Sequence, residues 1–204
     1  MDKKLYIIAG CNGAGKTTAS RLLLPSNIVY INADDIAKEL RPNDVASVAF
    51  LAGRIMLTQI DDFLKVGYTF SFETTLSTRS YHETIKFAQL IGYRIILIYF
   101  WLNDSQLAIQ RVSGRVQQGG HNIEAEVVKR RYHRSISNLV NIYIPLVDEL
   151  LVFDNSESKL DLIAEKPYQN QLLISNFHKW NKLMKSIYKY NMLEVMKLKE
   201  LFRA

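Results

Sequence analysis

The sequence predicts a three-layer α/β fold: a central five-stranded parallel sheet with helices on both faces, plus a small C-terminal hairpin and helix. Short apolar runs alternate with longer stretches of helical periodicity. Several of those runs are continuous Ile, Leu, Val, Tyr and Phe without alternation, as expected of strands covered on both faces. A glycine-rich loop joins the first apolar run to the first helical stretch, as in a βα unit that turns back over a parallel sheet.

The strands are expected at residues 5–9, 28–32, 68–73, 94–102 and 150–154. A first helix over 16–24 stops at Pro25, which cannot continue it. Helical spacing over 45–66 ends at Gly67, and a helix over 80–91 ends at Gly92. A helix over 105–118 begins after Asn103 and Asp104, either of which could cap it, and ends at Gly119-Gly120. Residues 124–143 read as one further helix, dense in Arg and Lys. Beyond Asn155, residues 160–164 and 171–174 suit a small edge hairpin around Pro167 and Asn170. The tail reads as helix, with Phe177, Trp180, Met184, Ile187, Tyr188, Val195, Leu198 and Phe202 roughly on one stripe. With no repeat, low-complexity segment or linker, one domain over 1–204 is expected, with a core at 4–156 and an appendage at 157–204.

At 204 residues, 48% hydrophobic and 23% charged, the chain can bury a core and is not a disordered composition. Cys11 is the single cysteine, so no internal disulfide forms and a reducing, cytoplasmic setting is the default. The apolar stretch before Gly10 is too short for a signal-peptide core. The longest apolar run, 95–102, is far short of the ~20 residues that span a bilayer, so a soluble protein is expected. The net charge of +6 is uneven: residues 165–204 hold eight Lys/Arg against three Asp/Glu. A solvated helix face explains that segment better than contact with nucleic acid does.

Gly10, Gly15, Lys16 and Thr17 form the Walker A pattern Gly-x4-Gly-Lys-Thr. Small residues there let successive backbone N–H groups, from Asn12, Gly13 and Ala14 through Thr18, turn inward around phosphates. The following helix presents its positive end to the same anion. Lys16 would bridge the outer phosphates of a nucleoside triphosphate, and Thr17 Oγ1 would ligate Mg²⁺.

In such a sheet, ligands sit beyond the carboxyl ends of the strands. Asp34 and Asp35 follow the second strand and Glu73 ends the third. A hydroxyl acceptor needs a carboxylate to orient it and take its proton. Asp34 or Asp35 suits that role, and the other could cap the next helix. Glu73, with Thr74 and Thr75 beside it, could hold Mg²⁺ through water or bind the acceptor's hydroxyls. Arg111 and Arg115 share a helical face, and Arg130, Arg131 and Arg134 follow. Arginines there would balance charge on a moving phosphate, Gly119-Gly120 would hinge a lid, and His121 would be a polar lid contact. Asp154-Asn155-Ser156 falls where the adenine of the nucleotide would rest.

The series GCNGAGKTT, INADDIAKEL, FSFETTLS, RVSGRVQQGGHNI, RRYHRSISNL and FDNS, over residues 4–156, resembles the zeta toxin family of P-loop kinases. It is most similar to the shorter chromosomal members. The resemblance implies a three-layer P-loop kinase fold with its five strands in the order 2-3-1-4-5, ATP or GTP with Mg²⁺ as cofactors, and UDP-N-acetylglucosamine or a similar metabolite as acceptor. It also implies a toxin–antitoxin setting, with an antitoxin protein as partner. By resemblance Asp34 is the base, Glu73 the substrate-binding acid, and Arg115 or Arg111 the arginine on the transferred phosphate. The chain departs from the best-known toxins near Leu57, where they carry a Glu that helps hold the sugar nucleotide. An ATPase switch or partner-binding module, and a polynucleotide kinase-like enzyme using the basic tail, are the competing readings.

Overall fold

The computed structural model describes residues 3–117 and 123–187. Strand β1 (Lys3–Ala9) lies between β3 (Phe70–Thr74) and β4 (Tyr93–Trp101), parallel to both. The strand β2 (Val29–Ile31) pairs with β3, and β5 (Glu149–Asp154) with β4, again in parallel. The five strands therefore stand in the order 2-3-1-4-5, as the resemblance implies. Ile95, Leu97 and Phe100 of β4 are fully buried, which explains why its sequence shows no alternation.

The sheet does not stop at five strands. Strand β6 (Asp161–Lys166) pairs antiparallel with β5, and β7 (Leu173–Ile174) antiparallel with β6, making seven in one sheet. The predicted hairpin is thus part of the main sheet and not an appendage to it. It covers the backbone groups that β5 would otherwise leave unpaired at an edge.

The helices along the sheet include α1 (Lys16–Leu23), α2 (Ala33–Leu40), α3 (Ala49–Val66), α4 (Tyr81–Leu90), α5 (Ser105–Gln117) and α6 (Ala125–Asn138). Helix α2 carries its apolar residues Ala33, Ile36, Ala37 and Leu40 at helical spacing, but it is only eight residues long and fully buries Ala37 alone. The predicted helix 45–66 opens as a 3₁₀ turn, Val45–Val48, with Asp44 accepting from Ser47 N, and becomes α-helical at Ala49. Asp104 caps α5 by accepting from Gln106 N at 3.0 Å, while Asn103 N donates to Ser156 Oγ at 2.8 Å. The predicted helix 124–143 is continuous but widens: α6 passes at Asn138 into a π turn, Leu139–Tyr143, before a last turn, Ile144–Leu146.

Residues 177–187 are helical. Their core stripe is Trp180, Leu183 and Ile187, with Met184 partly buried. Phe177, expected on the stripe, is 66% exposed, because it precedes the turn that meets the sheet. Tyr188, Val195, Leu198 and Phe202 lie outside the described residues, as do Gly119, Gly120 and His121. Among the described residues, no helix is long and apolar enough to cross a membrane.

Candidate active site

At the carboxyl end of β1 the chain turns through Gly10, at φ 145°, where a Cβ would stand 2.3 Å from Phe100 O. Gly13, at φ 79°, brings the loop so close to α5 that a Cβ would meet Ala108 O at 2.8 Å. No side chain fits at either position without moving backbone, so the glycines follow from the packing of β4 and α5 on the loop. Helix α1 starts at Lys16 with no acidic residue in its first turn, leaving its positive end to the loop. The Asp154–Ser156 turn backs the loop from the other side. Asn155 Nδ2 donates to Ala14 O at 2.8 Å, and Asn155 N donates to Trp101 O at 2.9 Å. Arg111 does not point freely into the site: its guanidinium donates to Asn155 O at 2.8 Å and Ser156 O at 2.9 Å.

Glu73, at the end of β3, gathers groups from three elements. Thr17 Oγ1 donates to its Oε2 at 2.7 Å, Asn32 Nδ2 donates to the same oxygen at 3.3 Å, and Tyr30 OH donates there in a short bond. Lys16 Nζ lies 3.4 Å from Oε1 and donates to Cys11 O at 3.1 Å. Burial pushes the Glu73 carboxyl up, but the Lys16 charge and the bonds from Tyr30 and Thr17 outweigh it and hold the group below its ordinary value. Burial, then the Glu73 charge, drives the Tyr30 phenol far upward, so Tyr30 is a fixed donor. Burial likewise pushes the Cys11 thiol up to about 11 against the pull of Lys16, leaving it neutral and unreactive.

Two cavities meet at Lys16, Glu73 and Arg115. The first, about 380 Å³, lies over the loop and is bounded by Gly13, Gly15, Thr17, Thr18 and Arg111. The second, about 520 Å³, is bounded by Asn12, Asp34, Thr74, Thr75 and Arg131. Asp34 is exposed on the wall of this second cavity. Asp35 turns away, pairs with Lys38 at 3.2 Å and borders a separate hollow behind Thr17 and Tyr30. Neither aspartate caps α2 with its side chain, because Asn32 Oδ1 already accepts from Asp34 N at 2.9 Å. Of the three arginines on α6, Arg131 lines the cleft and donates to Asn12 Oδ1 at 3.3 Å. Burial and neighbouring Arg130 lower its pKa, and Asp34 opposes them. Helix α3 turns Ala49, Gly53 and Met56 to the cleft; Leu57 is 43% exposed and outside it.

The loop from β3 to α4 forms the far wall. Leu76 is fully buried and has φ 57°, a left-handed conformation that costs a branched residue about 1–2 kcal/mol. Its amide donates to Thr74 Oγ1 at 3.1 Å, and Thr75 Oγ1 pairs with Ser77 Oγ at 2.8 Å, so both threonines bond within the loop as they border the cleft. Asn138 Nδ2 donates to Leu76 O at 2.9 Å and to Thr78 O at 3.4 Å, and Tyr143 OH donates to Thr78 O at 3.1 Å. Residues five apart share a face only when a helix widens to a π turn, and the turn at Leu139–Tyr143 does this. Tyr30, Asn32, Leu76 and Asn138 were not marked by the sequence: each reads as an ordinary strand, cap, loop or helix residue until the chain is folded.

The profile of the family described as AAA domain matches residues 5–135. The chain belongs to this AAA-domain family. The matched stretch spans the phosphate loop, Asp34, Glu73, the α5 arginines and Arg131, and stops before β5. A Haemophilus influenzae relative, described only as an uncharacterized protein, is 30% identical over 132 residues, 65% of this chain and 94% of its own length. A solved chain of the PezAT chromosomal toxin–antitoxin system of Streptococcus pneumoniae superposes with TM-score 0.65 at 16% identity, covering 100% of this chain and 88% of that one. The AvrRxo1-ORF1:-ORF2 complex with ATP superposes with TM-score 0.70 at 15% identity, over 89% of this chain and 63% of that one. At such identities the likeness is one of fold. The AAA domain here thus has the same three-layer α/β arrangement as those solved chains.

Proposed function

We propose that the chain is a Mg²⁺-dependent small-molecule kinase that transfers the terminal phosphoryl group of ATP or GTP to a hydroxyl of UDP-N-acetylglucosamine or a similar metabolite. The observation that carries this reading is the meeting of two cavities at Lys16, Glu73 and Arg115, with the phosphate loop on one side and Asp34 on the other. A hydrolase needs only the first cavity.

The Thr17 hydroxyl and Glu73 carboxylate, 2.7 Å apart, are adjacent hard oxygens of the kind that would hold Mg²⁺. When bound, the ion neutralises charge on the outer phosphates. The loop from Gly10 to Thr18 cradles the phosphates and Lys16 bridges the outer ones. The acceptor oxygen bonds to the γ-phosphorus while the bond to the β,γ-bridging oxygen breaks, and the nucleoside diphosphate leaves. The acceptor's proton passes to Asp34, and Arg115, which borders both cavities, balances charge on the moving group. Asn155 flanks the base. Thr74, Thr75 and His121 belong to the acceptor side in this reading; Asp35 does not, since it faces elsewhere. The setting is cytoplasmic and the chain one kinase unit. An antitoxin partner is supported by the fold shared with a toxin–antitoxin chain.

Incubation with γ-labelled ATP, Mg²⁺ and UDP-N-acetylglucosamine, or a metabolite extract, tests the proposal. Labelled acceptor is expected, with Asp34→Asn keeping ATP affinity while transfer slows by about 10²–10⁴. ATP binding without any labelled acceptor would sink it.

A further inference from the structure

We infer that the C-terminal helical segment, residues 177–187, is a working part of the nucleotide site, with Lys179 as the positioning residue that holds the phosphate loop through Asp154 and Asn155. This rests on the reading that the loop binds a nucleoside triphosphate. The segment lies beyond the stretch matched by the family profile.

Asp154, at the end of β5, is 2% exposed. Its Oδ1 accepts from Ser156 N at 2.9 Å and, in a short bond, from Ser156 Oγ. Its Oδ2 faces Lys179 Nζ at 2.8 Å. Asp161 stands directly opposite Asp154 across the antiparallel β5–β6 pair, and Lys179 Nζ is 2.9 Å from it as well. Two carboxylates opposed in this way repel each other, and the ammonium between them removes the repulsion. The helix is placed to deliver that ammonium: Asn176 Oδ1 accepts from Lys179 N at 3.1 Å, while Trp180, Leu183 and Ile187 anchor the next turns in the core.

From Asp154 the contacts run to the loop. Ser156 is held by Asp154, the carbonyls of Asn155 and Ser156 by Arg111, and Asn155 Nδ2 by Ala14 O at 2.8 Å. The approach is tight enough that a Cβ on Gly15 would stand 2.5 Å from Asn155 Nδ2. Without Lys179, Asp154 is a buried carboxylate with no cation paired to it among the described residues, which must take a proton or move towards water. Either change releases Ser156, loosens the turn and frees the carbonyl of Ala14, so that the loop no longer holds its amides ready for phosphate.

The test measures the affinity of the full chain for Mg·ATP and for Mg·tripolyphosphate by calorimetry, with a melting curve for each variant. Lys179→Met is expected to weaken both ligands roughly tenfold at a temperature where it is folded, the scale for residues that couple without touching ligand. Lys179→Arg should restore most of the loss. In an Asn155→Ala background the Lys179→Met effect should shrink to less than about twofold, because the shared link is gone. If Lys179→Met does not fold, Lys179→Gln, which keeps a donor for Asp154 without the charge, carries the same test. A lower melting temperature with unchanged affinities would overturn the inference, since Lys179 would then only brace β5 against β6. Weakening for ATP alone would also overturn it, by placing the effect on the base. Wild-type protein that binds neither ligand would sink the nucleotide reading and this inference together.

Discussion

Glu73 carries the site's electrostatics on one side chain. It is 11% exposed, yet Lys16, Thr17, Tyr30 and Asn32 all turn polar atoms to it. Its carboxyl is held below the ordinary value of 4.5, so it adds stability above that value and loses it as pH falls through the lowered folded value. Glu73→Gln is therefore expected to cost roughly 1–3 kcal/mol at neutral pH, by leaving Lys16 without its carboxylate. The gap to wild type should close as pH drops below 4.5, read by denaturant titration along a pH series. A gap that stays constant down to acid would show that the charge of Glu73 is not what stabilises it. Lys16, Thr17 and Glu73 stood out in the sequence, since their motif or strand end marks them. Tyr30 did not, because a tyrosine in a strand signals β structure until Glu73 is found at its hydroxyl.

At the scale of elements, α6 works at both ends. Arg131 in its second turn lines the cleft, and its π turn brings Asn138 and Tyr143 onto the loop that holds Leu76 left-handed. The sequence reads 124–143 as one helix, because apolar periodicity cannot report a widening whose cause is a carbonyl some sixty residues away. Asn138→Ala leaves the Leu76 carbonyl buried and unpaired, an expected loss of about 1–3 kcal/mol. Because the loop walls the second cavity, the variant should also raise the acceptor KM several-fold while the affinity for ATP stays put. Steady-state kinetics beside direct ATP titration separate the two, and an equal loss for both ligands would mean the loop serves the whole site.

For the whole molecule, the added strands β6 and β7 share one sheet with β1–β5, and the helical segment 177–187 packs into the same core. Leu183 is fully buried, so Leu183→Ala is expected to cost about 2–4 kcal/mol. It should lower the midpoint of a single unfolding transition monitored by tryptophan fluorescence and by circular dichroism. Two separated transitions would show that the C-terminal part folds as its own unit. Two of the basic residues in this part face inward: Lys179 sits on its aspartates, and Lys166 Nζ donates to Val147 O at 2.7 Å. The charge excess there is thus partly internal and a weaker argument for nucleic acid than its count suggests.

The phosphate loop, the five parallel strands and the carboxylates at their ends were legible in the chain before it folded. These are written in local chemistry: glycines where backbone must approach backbone, and unbroken apolar runs where both faces are covered. That Asp34 and not Asp35 faces the cleft emerges from packing, since neighbours on a helix point about 100° apart and the seating of α2 sets the phase. The same holds for Arg131 over Arg130 and Arg134, for the turning of Arg111 onto Asn155 and Ser156, and for the joining of the C-terminal strands to the sheet. Each of these depends on contacts between residues far apart in the chain, which no local pattern encodes.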